Sequence, residues 1–147
     1  MTAPMTTGGA CLFCDIVSGA QPASVVLDEP EVAAFLDRRP VFKGHTLVVP
    51  RRHVETLPDV PAELLAPLFG AAQRVARAVV DALGAEGSFV AMNNVVSQAV
   101  PHLHVHVVPR RRKDGLRGFF WPRQTYESDD EIAEYAQRLR QALSTDD

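Results

Sequence analysis

The chain has only two cysteines and one tryptophan among its 147 residues. Cys11 and Cys14 stand too close together to staple a fold, so their spacing points to metal or redox chemistry. No apolar run approaches the ~20 residues that span a bilayer, so no membrane helix is expected. The opening MTAPMTTGGA lacks a basic stretch followed by an apolar one. It reads as a disordered lead-in over residues 1–10 rather than a secretory signal, and the cytoplasm is the expected compartment. A net charge of −3 supplies no global field toward nucleic acid or a membrane surface, and neither is expected as a partner. Neither a P-loop nor a G-x-G-x-x-G motif occurs, which speaks against an ATPase or a dinucleotide oxidoreductase. What remains is an ordinary soluble composition, 46% hydrophobic and 22% charged, at the length of one domain.

Patterning divides the chain into short elements. CLFCDIVSGA suits a short helical turn ending at Gly19. SVVLDE and VAAFLD, separated by Glu29-Pro30, read as a hairpin. GHTLVVP, from Gly44 to Pro50, reads as a third strand. Leu68, Ala72, Val75, Val79 and Leu83 recur at steps of three and four, the mark of an amphipathic helix. Pro67 suits no helix interior, so a separate short turn is expected before it and the main helix after it, stopped at Gly84. SFVAMN and HLHVHVV supply a fourth and a fifth strand. SDDEIAEYAQRLRQAL reads as a C-terminal helix, with Ser128 as cap and Glu131 completing a capping box. The expected class is α+β with a mostly antiparallel five-stranded sheet, in a single domain over 11–147 with a tail and helix from about residue 111.

HLHVHVV, residues 102–108, carries three of the five histidines. In a strand, residues i, i+2 and i+4 share a face. His102, His104 and His106 would then form a row roughly 6–7 Å apart at Cα, with Leu103, Val105 and Val107 turned to the core. Pro101 and Pro109 would bound the strand. Such a row has three readings. It is a polar face, a His-x-His metal site, or a nucleophilic centre in which imidazole attacks phosphorus and its neighbours hold the phosphate oxygens.

QAVPHLHVHVVPR resembles the His-x-His-x-His-x-x signature of the histidine triad (HIT) superfamily, with x apolar. LFCDIVSGAQPASVVLDEPEVAAFLDRRPVFKGHTLVVPRRHV is similar to the N-terminal half of bacterial HIT proteins, and the likeness spans roughly residues 11–122. The resemblance implies a HIT-like fold whose sheet continues across a homodimer, through the strand after the long helix and the helix itself. It implies a hydrolase or nucleotidyltransferase that cleaves purine nucleotide conjugates, adenosine above all, at the α-phosphate. His104 would be the nucleophile, His106 would contact the phosphate oxygens, and the main-chain carbonyl of His102 would hold His104. His45 would be the fourth histidine of the site, and Gln98 would border the phosphates. Asp37 would bind the ribose hydroxyls, Leu12, Phe13 and Ile16 would wall the base, and Asn93, or Asn94 beside it, would lie near ribose and phosphate. The related zinc-containing proteins imply a structural zinc on Cys11, Cys14, His53 and His102, with no catalytic cofactor. A dinucleoside polyphosphate hydrolase or phosphorylase, a nucleotide-binding sensor and a catalytic zinc hydrolase are the rival readings.

The chain departs from the family pattern in three places. Ala99 stands where many members carry Ser or Thr, whose hydroxyl reaches the leaving group. The loop NVVS before Gln98 is short and lacks glycine. The tail GLRGFFWPR is distinctive, and Phe119, Phe120, Trp121 and Arg123 are candidates for substrate choice. The run Arg110 to Lys113 reads either as a solvated face or as a steering patch for polyphosphate.

Overall fold

The computed structural model describes residues 11–117 and 122–144. The expected lead-in and the aromatic residues Phe119, Phe120 and Trp121 lie outside them. The chain divides into two compact units, one ending at Asp114 and the other beginning at Gly115.

The first unit starts with α1 (Leu12–Ser18). Cys11 caps it through a thiol that accepts the Cys14 N–H at 3.3 Å, and Gly19 ends it at φ +89°, a left-handed conformation that suits glycine. The strands β1 (Val25–Asp28) and β2 (Val32–Leu36) form the expected hairpin. They are followed by β3 (Thr46–Pro50), α2 (Ala62–Leu83), β4 (Gly87–Ala91) and β5 (Val105–Arg110). The strands run in the order β1-β2-β3-β5-β4, every pair antiparallel. The α+β, five-stranded reading therefore holds, and β4 is one edge of the sheet.

One face of the sheet packs under α2. Leu68, Ala71, Ala72, Val75 and Val79 meet Val32, Ala34, Val48, Leu103, Val105 and Val107 there. The other face is a second core, not a row of histidines alone. Cys11, Phe13, Ala33, Phe35, Leu47 and Val49 cluster on it. β2 and β3 are consequently buried on both faces, and this is why VAAFL and TLVVP read as continuous apolar runs.

Three local expectations are corrected. Pro67 lies inside α2, which begins at Ala62. The missing N–H deprives only the carbonyl of Glu63, an exposed residue one turn from the helix start, while buried Leu64 and Leu68 anchor both sides of the proline. β5 begins at Val105, so of the three histidines only His106 belongs to the ladder. Pro109 lies within β5 rather than after it. Pairing with β3 ends at Val107, so Pro109 sits where the strand has β4 alone beside it and no donor is needed on the other side.

In the second unit α3 (Asp129–Ser144) starts as expected at Ser128, whose Oγ accepts the Glu131 N–H at 3.2 Å. The return arm of the capping box reaches one residue further, with Glu131 Oε1 accepting the Glu127 N–H at 2.7 Å. No helix among the described residues is long and apolar enough to cross a membrane.

Candidate active site

The segment entering β5 is irregular, and its hydrogen bonds aim the histidines. The His102 N–H donates to Val100 O at 2.8 Å, and the Leu103 N–H donates to Val54 O at 2.7 Å. Leu103 is driven fully into the α2 core. His102 and His104 are thereby left on the opposite face. The Nδ1–H of His104 donates to the His102 carbonyl at 2.8 Å. Nδ1 therefore carries the proton and Nε2 presents its lone pair.

A second chain of bonds fixes His106. The Val41 N–H donates to His45 Nδ1 at 3.1 Å, so that ring is protonated on Nε2. His45 Nε2 lies 2.9 Å from His106 Nδ1 and donates to it. His106 is then neutral, with its proton on Nε2. Burial holds His45 below its ordinary pKa against the pull of Asp37, whose Oδ2 is 3.7 Å away. Burial, with His104 and His45 adding to it, lowers His106 to about 4. The site combines one ring that offers a lone pair with one that offers an N–H.

His104 and His106 open into a cavity of about 370 Å³. Leu12, Phe13 and Ile16 of α1 line it, as do Phe35 and Leu47 of the sheet. The Phe13 ring meets His104 edge-on, with centroids 4.9 Å apart. Asp37 lines the cavity too, its Oδ1 accepting the Arg39 N–H at 2.9 Å. Ala99 contributes a methyl group to the wall.

Gln98 and Asn93 are placed otherwise and do not line this cavity. Gln98 braces its own loop: Nε2 donates to Glu55 O at 2.6 Å, and Oε1 accepts the Val95 N–H at 2.9 Å. Asn93 is exposed, and Asn94 Oδ1 accepts the Leu57 N–H at 2.7 Å. Without glycine, this loop holds Val95 at φ +71° and Ser97 at φ +63°. Left-handed backbone is a true outlier for a β-branched residue.

Behind His104, four side chains converge from three segments. The Nε2–H of His102 donates to Pro50 O at 2.8 Å, so its Nδ1 lone pair points the other way. That nitrogen lies 3.4 Å from Cys11 Sγ and 3.5 Å from Cys14 Sγ, and His53 Nδ1 lies 3.3 Å from Cys14 Sγ. All four ligand atoms fall within 4.8 Å of one another. Tetrahedral zinc with bonds of about 2.3 Å to sulfur and about 2.0 Å to nitrogen separates the two by about 3.5 Å. The residues fit that metal. Burial and the neighbouring Cys11 push the Cys14 thiol up to about 12, and burial lowers His102 to about 4. A divalent cation would favour thiolate and neutral imidazole together. A second group, Asp37, His45 and His106, also gathers donor atoms. Its two ring nitrogens share one proton across 2.9 Å, which leaves no pair of lone pairs for a metal.

Two residues absent from the sequence reading line the cavity, Arg38 and Arg39. The available signal was their adjacency to Asp37 in AFLDRRP. The three arginines of the basic run, by contrast, are tied down elsewhere. Arg110 pairs with Asp114, Arg111 donates to the Leu83 and Gly84 carbonyls at the end of α2, and Arg112 pairs with Glu86.

The HIT domain family model matches residues 18–113. A HIT-like protein of Mycobacterium tuberculosis is 41% identical over 108 residues, which cover 72% of this chain and 75% of that one. The adenosine 5′-monophosphoramidase HNT1 of Saccharomyces cerevisiae is 35% identical over 132 residues, covering 88% of this chain and 80% of its own. Among solved structures, a zinc-bound histidine triad family protein from Mycobacterium smegmatis superposes with a TM-score of 0.70 at 37% identity, over 92% of this chain and 97% of that one. The paired histidines over an apolar cavity, the antiparallel sheet and these likenesses agree: the chain belongs to the HIT family.

Proposed function

We propose that this protein is a nucleotide hydrolase acting at the α-phosphate of purine nucleotide conjugates through a covalent intermediate on His104. The observation that carries this reading is the bond from His104 Nδ1–H to the His102 carbonyl, which leaves Nε2 nucleophilic at the cavity wall. Nε2 attacks phosphorus, the N–P bond forms, and the bond to the leaving group breaks. The positive charge that develops on the ring is shared with the His102 carbonyl through Nδ1–H. His106 Nε2–H donates to a non-bridging oxygen, where negative charge accumulates. Water then attacks phosphorus, the N–P bond returns its electron pair to Nε2, and the water proton passes to solvent. Transfer to another acceptor follows the same route with a different nucleophile in the second step.

Leu12, Phe13 and Ile16 form an apolar slot for a base, and Asp37 Oδ2 is the acceptor suited to ribose hydroxyls. The adenosine activity named for the yeast relative supports an adenine nucleotide. Zinc on Cys11, Cys14, His53 and His102 is structural in this reading: it compensates two thiolates and ties α1 to the segment that carries the nucleophile. The working form is a homodimer. The edge strand β4 packs against α2, and exposed Val90 of β4 with exposed Leu65, Phe69 and Val80 of α2 offer apolar side chains for a second copy to cover by twofold pairing. The deciding experiment is mass spectrometry of acid-quenched protein after brief exposure to an adenylated substrate. A nucleotidyl adduct on His104 supports the reading. Multiple turnover without one, retained in His104→Ala, ends it.

A further inference from the structure

Arg38 and Arg39 follow directly on Asp37, whose amide N–H bonds His45 O at 2.9 Å and whose carboxylate lies 3.7 Å from His45 Nε2. The two arginines thus spring from backbone beside the His45–His106 pair, and both line the His104 cavity. No hydrogen bond or ion pair from either guanidinium is formed among the described residues. The Arg39 contact with Asp37 comes from its main chain. The described charged groups lining the cavity are Asp37, Arg38 and Arg39, so the wall carries one surplus positive charge beyond what Asp37 offsets.

The same wall is poor in protons to give. Ala99 supplies no hydroxyl. The bond chain from Val41 through His45 to His106 assigns one proton to each ring. A neutral imidazole N–H donates a hydrogen bond but is no acid at neutral pH. Leaving groups differ in what they ask of such a site. When an oxyanion departs, the His104 Nε2 lone pair forms the N–P bond and the P–O bond breaks with its electron pair on oxygen. No proton moves. When an amine departs, the electron pair of the broken P–N bond must take up a proton. The surplus cations assist the first case, in which negative charge leaves, and repel an ammonium-bearing leaving group in the second.

We propose that Arg38 and Arg39 are specificity-determining residues that favour nucleotide conjugates whose leaving group is an oxyanion, such as sulfate or phosphate, over those whose leaving group is an amine. The proposal rests on the reading of His104 as the nucleophile. Its test is steady-state turnover of adenylyl sulfate and of adenosine 5′-phosphoramidate by the full chain, by Arg38→Ala/Arg39→Ala, by Arg38→Lys/Arg39→Lys and by His104→Ala. The double alanine variant is expected to lower kcat/KM for adenylyl sulfate at least about tenfold more than for the phosphoramidate. The double lysine variant, keeping the charge, is expected to recover most of that difference. An equal fall for both substrates assigns the arginines to the shared nucleotide portion and overturns the proposal, and so does no fall at all. If His104→Ala is inactive while the ratio does not move, the leaving-group proposal alone fails. If His104→Ala turns over both substrates fully, or the wild type turns over neither, the nucleophile reading fails and the proposal with it.

Discussion

The Nδ1 of His104 sits 2.8 Å from the carbonyl oxygen of His102, and His102 in turn directs its own Nδ1 at two cysteine thiols. One residue thus orients the His104 ring with its main chain and closes a metal-type cluster with its side chain. A change in the cluster is therefore expected to shift His104 Nε2.

His104→Ala is expected to reduce turnover by about 10³-fold or more, while nucleotide affinity, held by the cavity walls, changes by less than about tenfold. Single-turnover kinetics and calorimetric titration with AMP measure the two separately. His106→Asn keeps an N–H donor near the phosphate and is expected to retain more activity than His106→Ala.

Purified protein should carry close to one zinc per chain by elemental analysis. Cys11→Ser/Cys14→Ser should lose it and melt about 10 °C lower, because a structural metal contributes its binding free energy to folding. Unchanged melting in metal-free protein would count against the site. Melting temperature is the cleaner readout, since activity also depends on His102.

Stability should fall as pH drops from about 6.5 toward 4. The folded pKa of His106 is depressed to about 4 by burial, so between these values the unfolded chain binds the proton that the folded chain refuses. The contribution is full above 6.5 and lost as pH approaches 4. Urea unfolding at stepped pH should show a shallower acid decline in His106→Asn than in the wild type.

Val95→Gly should stabilise the protein by about 1 kcal/mol in urea unfolding. It relieves a left-handed β-branched residue, and the 75% exposed side chain takes no core packing with it. Ser97→Gly should act in the same direction and more weakly, since Ser is not β-branched.

Light scattering should give a mass near twice the 16.1 kDa of the chain. Val90→Asp places a charge at the centre of the free β4 edge and should shift the mass toward the monomer. A wild-type mass of one chain at micromolar concentration would refute the dimer.

The sequence by itself determined the elements whose signals are local. The α2 period, the left-handed stop at Gly19, the hairpin around Glu29-Pro30 and the Ser128 cap follow from side-chain spacing and backbone sterics within a few residues. The triad spacing, with His45 in the separate segment GHTLVVP, was enough to mark the candidate site and its family. Tertiary structure decided what depends on neighbours distant in the chain. Pro67 stays helical because buried Leu64 and Leu68 flank it, Leu68 within a core that residues 32–48 and 103–107 complete. β2 and β3 are apolar throughout because α1 covers the face that alternation alone would have left polar. Gln98 turns to Glu55 and Val95 rather than to the cavity because a loop without glycine needs its amide as a brace. Arg38 and Arg39, which look like an ordinary charged turn, line the cavity because Asp37 is drawn against His45 by the β2–β3 connection. Which nitrogen of His45, His102 and His104 carries the proton is likewise set by an amide at residue 41 and carbonyls at residues 50 and 102. Periodicity shows which face a residue occupies; only the packed chain fixes the hydrogen-bond partner that face meets.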